Sequence, residues 1–307
     1  MSVANQPVHT LDDLEAWSVA GTGLAVVGQP VAHSLSPVIH NAALTALANE
    51  NGRYRSWHYH KFEIAPDELG RAVKLFHQKG FAGLNFTVPH KEAVVDLAGS
   101  GDALTHAAGA ANTLIRTATG WRASNTDCDG LADALRAELN TTLGGTHVIL
   151  LGAGGAARAA AVQCLRDGVA SLWIGNRGAG RLEALLASLA PLAGDIPLHG
   201  FALDHPPREL PAGALVINAT TLGMKPGDPS PLNLRHLRSP AKVYDMLYNP
   251  PVTALLRQAT ELGLLTANGL SMLVHQGGRS LSLWLGRPVP IEVMRRAAQA
   301  ALTNPHP

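Results

Sequence analysis

The segment that most restricts what this chain can fold into is His147–Ala157. An apolar run, His147-Val-Ile-Leu-Leu151, passes directly into Gly152-Ala153-Gly154-Gly155-Ala156-Ala157 and then into a helix-forming stretch ending at Asp167. A short apolar run closed by glycine reads as a buried strand. The glycines permit a tight turn and close approach of backbone to a ligand, and the helix behind them aims free N–H groups at whatever sits there. Strand, glycine-rich turn and helix in that order form a pyrophosphate-binding unit of the dinucleotide type, with alanine in the third glycine's place. The bland alternative is an ordinary tight βα turn.

The end of the next strand separates one dinucleotide from another. An NAD site usually carries Asp or Glu about 20 residues on, to bind the ribose 2′-hydroxyl. Here the sequence is Trp173-Ile-Gly-Asn176-Arg177-Gly178-Ala-Gly-Arg181, with two arginines and no acid. A guanidinium suits a 2′-phosphate by charge and by its fork of donors, whereas a carboxylate would repel it. Arginines at a strand end also occur as plain solvated residues. The pattern favours NADP over NAD.

The same alternation extends along the chain. Strands are expected at Leu24–Gly28, Trp57–Phe62 and Ala82–Phe86, with helices at 37–49 and Pro66–Lys79 between them. After a turn-rich joint at 141–145 come His147–Leu151, Ser171–Gly175, Leu198–Leu203, Leu215–Asn218, Lys242–Met246 and Leu264–Ala267. Helical stretches at Ser271–Leu285 and Ile291–Leu302 follow, and residues 1–22 read as a poorly patterned lead-in with one short helix near Leu11–Trp17. Alternating strands and helices indicate an α/β fold with largely parallel sheets. At roughly 150 residues per domain, 307 residues suggest two lobes.

Composition removes several function classes. Lys plus Arg (24) nearly balance Asp plus Glu (23), so no basic excess exists to neutralise a phosphate backbone, and nucleic acid is not an expected partner. Two cysteines, Cys128 and Cys164, form no disulfide framework or C-x-x-C motif. The first residues show no signal-peptide pattern, and no apolar run reaches the ~18 residues of a membrane span, so a cytoplasmic protein is expected. Among 14 histidines only His58 and His60 lie close together in sequence, without a carboxylate or cysteine cluster, so no metal is expected.

Four polar segments sit at or just beyond strand ends of the first lobe: His33-Ser34-Leu35-Ser36-Pro37, Asn85-Phe-Thr87-Val-Pro-His-Lys91, Ala111-Asn112-Thr113 and Asn125-Thr126-Asp127. Ligands of parallel sheets bind outside the carboxyl ends of the strands, so these segments can line one pocket. Each has a structural alternative. Ser-x-Ser-Pro can cap the helix beginning at Pro37, Asn112 can close a turn, Asp127 can cap the helix running to Leu139, and Lys91 can be a solvated helix residue.

Taken in order, these segments resemble the shikimate dehydrogenases, from about residue 24 to 285. The Ser-x-Ser motif of that family corresponds to Ser34 and Ser36, its N-[VF]-T-[VI]-P-x-K to Asn85–Lys91, its A-x-N-T to Ala110–Thr113 and its N-T-D-x-x-G to Asn125–Gly130. The glycine turn corresponds to Gly152–Ala156, the nucleotide loop to Asn176–Arg181, I-N-A-T to Ile217–Thr220, Y-D-[ML]-x-Y to Tyr244–Tyr248, and G-x-x-M-L-x-x-Q to Gly269–Gln276.

The resemblance implies NADP-dependent, reversible reduction of 3-dehydroshikimate to shikimate in aromatic amino-acid biosynthesis. Lys91 and Asp127 would be the catalytic pair. Ser34, Ser36 and Tyr248 would hold the substrate carboxylate, and Thr87, Asn112 and Gln276 would join Lys91 and Asp127 at the ring hydroxyls. Gly152, Ala153, Gly154, Gly155, Ala156, Asn176, Arg177, Arg181, Thr220, Met246 and Gly269 would contact NADP. It also implies a substrate domain over 1–127, a Rossmann-type NADP domain over 128–268, and helices over 269–307 that return to the first lobe, in a monomer or homodimer. Two departures stand out: Gly178 where the family often has threonine, and Leu35 where a polar or basic residue is frequent between the serines. Rival readings are a quinate/shikimate dehydrogenase of the same fold and a non-catalytic sensor of dehydroshikimate-type metabolites.

Overall fold

Apolar runs bounded by turns build two separate sheets in this protein, whose computed structural model describes residues 6–18, 20–237 and 242–303. The chain divides into one unit of Met1–Thr126 with Leu273–Pro307 and a second of Asp127–Met272. Residues 1–5 of the lead-in lie outside the described residues.

The first unit contains β1 (Val8–His9), α1 (Leu11–Glu15), β2 (Thr22–Gly28), α2 (Ser36–Glu50), β3 (Trp57–Glu63), α3 (Leu69–Gln78), β4 (Gly83–Phe86), α4 (Ala93–Leu97), β5 (Ser100–Gly101), α5 (Ala103–Ala108), β6 (Thr113–Arg116) and β7 (Trp121–Ser124). Leu24, Ala25 and Val27 of β2 are fully buried, as befits a strand covered on both faces. Helix α3 buries Leu69, Ala72, Val73 and Phe76, a helical-period stripe that packs Phe76 into a core with Phe62 and Phe81. The sheet order is β1-β3-β2-β4-β6-β7-β5. It is parallel except where β6 runs antiparallel to both β4 and β7. That β6–β7 hairpin escapes the sequence reading because each strand has only four residues and no sustained alternation.

Helix α6 (Thr126–Leu139) starts the passage to the second unit. There follow β8 (His147–Leu151), α7 (Gly155–Arg166), β9 (Ser171–Asn176), α8 (Ala179–Ala193), β10 (Leu198–Ala202), β11 (Leu215–Asn218), β12 (Lys242–Asp245), α9 (Ala254–Glu261) and β13 (Leu265–Asn268). All six strands are parallel, in the order β10-β9-β8-β11-β12-β13. Counted from β8 this is 3-2-1-4-5-6, the doubly wound dinucleotide-binding order, with its switch point between β8 and β11. Helix α10 (Leu270–Leu285) leads back to the first unit, where α11 (Ile291–Thr303) packs along α2. In β4, Gly83 is required because a side chain there would run into the Trp284 indole of α10, whose Nε1 donates to the Leu114 carbonyl at 3.0 Å.

Candidate active site

Strand register gathers the polar segments of the first unit at one end of its sheet. Asn85 of β4 pairs with Thr113 of β6, which pairs with Ser124 of β7. Because β6 is antiparallel, its amino end, carrying Asn112, lies beside the carboxyl ends of β4 and β7, from which Thr87 and Asn125–Thr126 emerge. The Phe86 N–H donates to the Asn112 carbonyl at 2.8 Å, and the Ala111 N–H to the Lys91 carbonyl at 2.8 Å. The loop bearing Thr87 and Lys91 is thus fastened against Asn112. His90, 1% exposed, anchors it from beneath through Nε2, 2.8 Å from the Ile64 carbonyl oxygen.

Asn112 is the hub. Its Nδ2 donates to Gln276 Oε1 at 3.1 Å and to Thr126 Oγ1 at 2.9 Å, while its Oδ1 accepts the Thr126 N–H at 2.8 Å. The far end of the sequence therefore contributes to this cluster through α10. One helical turn beyond Gln276, fully buried Ser280 donates to the Gln276 carbonyl at 3.0 Å and accepts from Asn85 Nδ2 at 2.9 Å. Its hydroxyl also meets Thr113 Oγ1 at 2.8 Å and Thr126 Oγ1 at 3.0 Å. Buried polar groups satisfied this fully fix a single arrangement.

Ser34 and Ser36 enter α2 differently from the cap reading. Leu35 occupies the N-cap position and no side chain caps the helix; Ser36 is already helical, and Ser34 Oγ accepts the Ser36 N–H at 3.3 Å. The Ser36 side chain shares a hydrogen bond with Tyr59, whose hydroxyl also donates to Asn85 Oδ1 at 2.8 Å, and burial pushes that phenol's pKa well up. His40 stacks on Tyr59 and places Nδ1 2.7 Å from the Ser36 carbonyl oxygen and Nε2 3.2 Å from that of Gly277. Burial pushes its pKa down to about 4, opposed by those two contacts. Lys61, 4% exposed, donates to the Ala32 carbonyl at 2.9 Å beneath the same loop, and burial lowers its pKa. Sequence reading missed Ser280, Tyr59, His40 and His90. Ser280 alone carried a signal, lying four residues after Gln276 on one helix face.

Asp127 and Tyr248 belong to the second unit. Asp127 is 6% exposed and lies inside the first turn of α6, which begins at Thr126; it does not occupy the cap position. In the glycine turn, Gly152 has φ +116°, and a side chain there would press on the Ala219 carbonyl oxygen at 3.1 Å. Gly154 and Gly155 face open space, and Gly154 stands at the N-cap of α7 without a side-chain cap. Buried Ala157, Ala160 and Ala161 keep α7 close to its sheet.

At the end of β9, Asn176 Nδ2 donates to the Gly178 carbonyl at 2.9 Å, and Arg177 and Arg181 are exposed at the start of α8, which has no acid in its first turn. Across the switch point, Asn218 Oδ1 accepts the Thr220 N–H at 3.0 Å and its hydroxyl at 2.7 Å, and the Met246 N–H donates to the Asn218 carbonyl at 2.9 Å. A side chain at Gly269 would run into the Met246 carbonyl oxygen, so only glycine fits there. Asp245, fully buried, has its pKa raised by burial, against hydrogen bonds from Thr253, Leu247 and Asn218 that lower it.

A family model described as the shikimate dehydrogenase substrate binding domain matches residues 26–114, and one described as the shikimate 5′-dehydrogenase C-terminal domain matches residues 269–299. The shikimate dehydrogenase (NADP(+)) of Synechococcus sp. (strain JA-3-3Ab) is 41% identical over 293 residues, spanning 92% of this chain and 94% of its own. The chain belongs to the shikimate dehydrogenase family. Among solved shikimate dehydrogenases, one in complex with NADP+ superposes with a TM-score of 0.82 at 31% identity, over 92% of this chain and 96% of that one. The Thermus thermophilus enzyme, in complex with NADP(H) and shikimate, gives 0.79 at 32% identity, over 92% of this chain and all (100%) of that one.

The second unit of this family member fits a phosphorylated dinucleotide on its own geometry. An uncapped helix N-terminus sits behind glycines whose missing side chains leave open space, and two arginines, without a carboxylate partner among the described residues, lie beside the neighbouring strand. Among the described residues no cluster of three or more His, Cys, Asp or Glu could hold a metal ion, and no helix is long and apolar enough to cross a membrane.

Proposed function

We propose that this chain is an NADP-dependent shikimate dehydrogenase, reversibly reducing 3-dehydroshikimate to shikimate. The observation that carries the reading is the Asn112–Gln276 amide pair, held at the carboxyl end of the first sheet with the Lys91 loop bonded to Ala111 beside it. It joins motif residues from both ends of the chain into one set of donors and acceptors suited to a polyhydroxylated ring. We assign that unit to substrate and the second to nucleotide.

In this reading Ser34, Ser36 and Tyr248 hold the substrate carboxylate, and Thr87, Asn112 and Gln276 hold the ring hydroxyls. Arg177 and Arg181 take the 2′-phosphate, Gly152–Ala156 the pyrophosphate, and Thr220, Met246 and Gly269 the nicotinamide end, with Asn176 shaping the ribose loop. NADPH, when bound, supplies the hydride. Lys91 stabilises the oxygen that gains negative charge as the ketone is reduced and gives it a proton; Asp127 orients the ammonium and favours its charged form. In the oxidative direction Lys91 takes that proton back. A cytoplasmic monomer or homodimer is the accompanying expectation, in keeping with two buried cysteines that form no disulfide among the described residues.

The test is an absorbance assay at the NADPH band with shikimate and quinate, each with NADP+ and NAD+. Shikimate with NADP+ is expected to give the highest kcat/KM. Quinate turning over as well as shikimate would make the chain a quinate/shikimate dehydrogenase, and no turnover with either would leave a sensor.

A further inference from the structure

Asp245 is a buried carboxylate for which the proposed reaction has no use. It is the last residue of β12 and is fully buried. Its Oδ1 accepts from Asn218 Nδ2 at 2.9 Å and from the Leu247 N–H at 3.1 Å, and its Oδ2 accepts from the Thr253 hydroxyl at 2.6 Å. Thr253 Oγ1 in turn accepts the Leu256 N–H at 3.3 Å as the cap of α9, so its proton is directed at Asp245. Three donors converge on this group, the arrangement an ionised carboxylate requires. Among the described residues no Lys, Arg or His pairs with it, so the negative charge is satisfied by hydrogen bonds yet left unneutralised.

Sheet order places that charge relative to a dinucleotide. The pyrophosphate site follows β8, and the arginines for the 2′-phosphate follow β9 on one side of the switch point. A dinucleotide lying across the carboxyl ends must then run its nicotinamide toward β11 and β12 on the other side. Oxidised nicotinamide carries a positive charge and reduced nicotinamide carries none.

We infer that Asp245 is an electrostatic selector for the redox state of the cofactor, holding NADP+ more tightly relative to NADPH than the same seat would without its charge. The inference rests on the second unit's being the nucleotide site. A seat that favours the oxidised form lowers the potential of the bound couple, which makes the bound reduced form a stronger hydride donor toward a ketone. The backbone of Met246, Leu247 and Gly269, fixed through Asn218 and Asp245, supplies the shape, and the carboxylate supplies the bias.

The experiment titrates the full chain, without substrate, with NADP+ and separately with NADPH, comparing wild type with Asp245→Asn. Asparagine keeps the shape and the acceptor for Asn218 and Leu247, and its amide can donate to Thr253. The expected result is a Kd for NADP+ raised about three- to tenfold, as for one charge at moderate distance in a partly screened site, with that for NADPH within about twofold of wild type. Equal changes in both constants, or none, would overturn the inference and leave Asp245 a scaffold residue. If that variant does not fold, Asp245→Ser makes the same comparison, its hydroxyl keeping a polar partner for Asn218 or Thr253; a ratio of the two constants unchanged from wild type overturns the inference. Wild type binding neither form would overturn the nucleotide assignment itself, and the inference with it.

Discussion

The Asn112 side-chain oxygen accepts the backbone N–H of Thr126 at 2.8 Å, so the residue proposed to hold a substrate hydroxyl also closes the N-terminus of α6. Asp127, the proposed partner of Lys91, is the next residue of that helix. In the proposed mechanism, ground-state binding and placement of the reacting carboxylate would share one amide.

Asn112→Ala removes both contributions. Stability should fall by about 1–3 kcal/mol, for a lost cap and buried donors left unpaired, and KM for shikimate should rise about tenfold. Urea denaturation alongside steady-state kinetics measures both. A stability loss with KM unchanged would reduce Asn112 to a helix cap.

Ser36→Ala should behave in the opposite way. Ser36 caps nothing, and Tyr59 retains its bond to Asn85 without it. Stability should change by no more than about 1 kcal/mol while KM for shikimate rises severalfold. A lowered melting temperature with normal KM would remove Ser36 from the substrate site.

The contrast between Asn112 and Ser36 shows what was legible in the sequence. The six strands of the second unit were legible as apolar runs, and the turn at Gly152 marked the nucleotide-type unit, because parallel strands announce themselves by composition; their spatial order comes from the structure. The polar segments of the first unit were visible, but their connections were not. Those depend on β6 running antiparallel to β4, a hairpin of four-residue strands, and on Ser280 arriving from α10 to meet Asn85. Long-range hydrogen bonds between residues nearly two hundred positions apart leave no periodic trace. His40 and His90 looked like any other histidines because what distinguishes them is burial against particular carbonyls.

Cofactor choice should reside in Arg177 and Arg181. Charge-assisted hydrogen bonds contribute about 1.5–3 kcal/mol each, so replacing both by alanine should lower kcat/KM for NADP+ at least about tenfold and spare NAD+. Equal efficiency of the two cofactors in the unmodified protein would show that these arginines are solvated bystanders.

Acid should loosen the first unit through its histidines. Burial, with nearby His9 and His58, pushes the His60 pKa down to about 4. The unfolded chain takes up that proton near 6.5, the native state only near 4, so the stability due to neutral His60 is complete above about pH 6.5 and is lost as pH falls toward 4. His60 packs its ring against Trp17 and Phe81 and makes no side-chain hydrogen bond among the described residues. His60→Phe should therefore fold with stability within about 1 kcal/mol of wild type at pH 7 and show a flatter decline below pH 6. Urea midpoints at a series of pH values measure the slope; an equally steep decline in the variant would assign acid sensitivity to other groups.

The enzyme reading stands on Lys91 and Asp127. Lys91 is held in place by its backbone: its carbonyl accepts the Ala111 N–H, and neighbouring His90 is anchored to Ile64. Truncation to alanine keeps both of these anchors, so the loop should hold its course. If Lys91 acts chiefly on the transition state, Lys91→Ala should lower kcat by roughly 10²–10⁴ while KM for shikimate changes much less. Asp127→Asn keeps the shape of the α6 first turn and removes the charge, so kcat should fall there too. Two residues serving one proton transfer act as a unit, and the double variant should lose less than the product of the single losses. Strict multiplication of the losses would mean that the two act separately. Wild-type turnover by Lys91→Ala would end the assignment of the proton to that lysine and return the metabolite-sensor reading to contention.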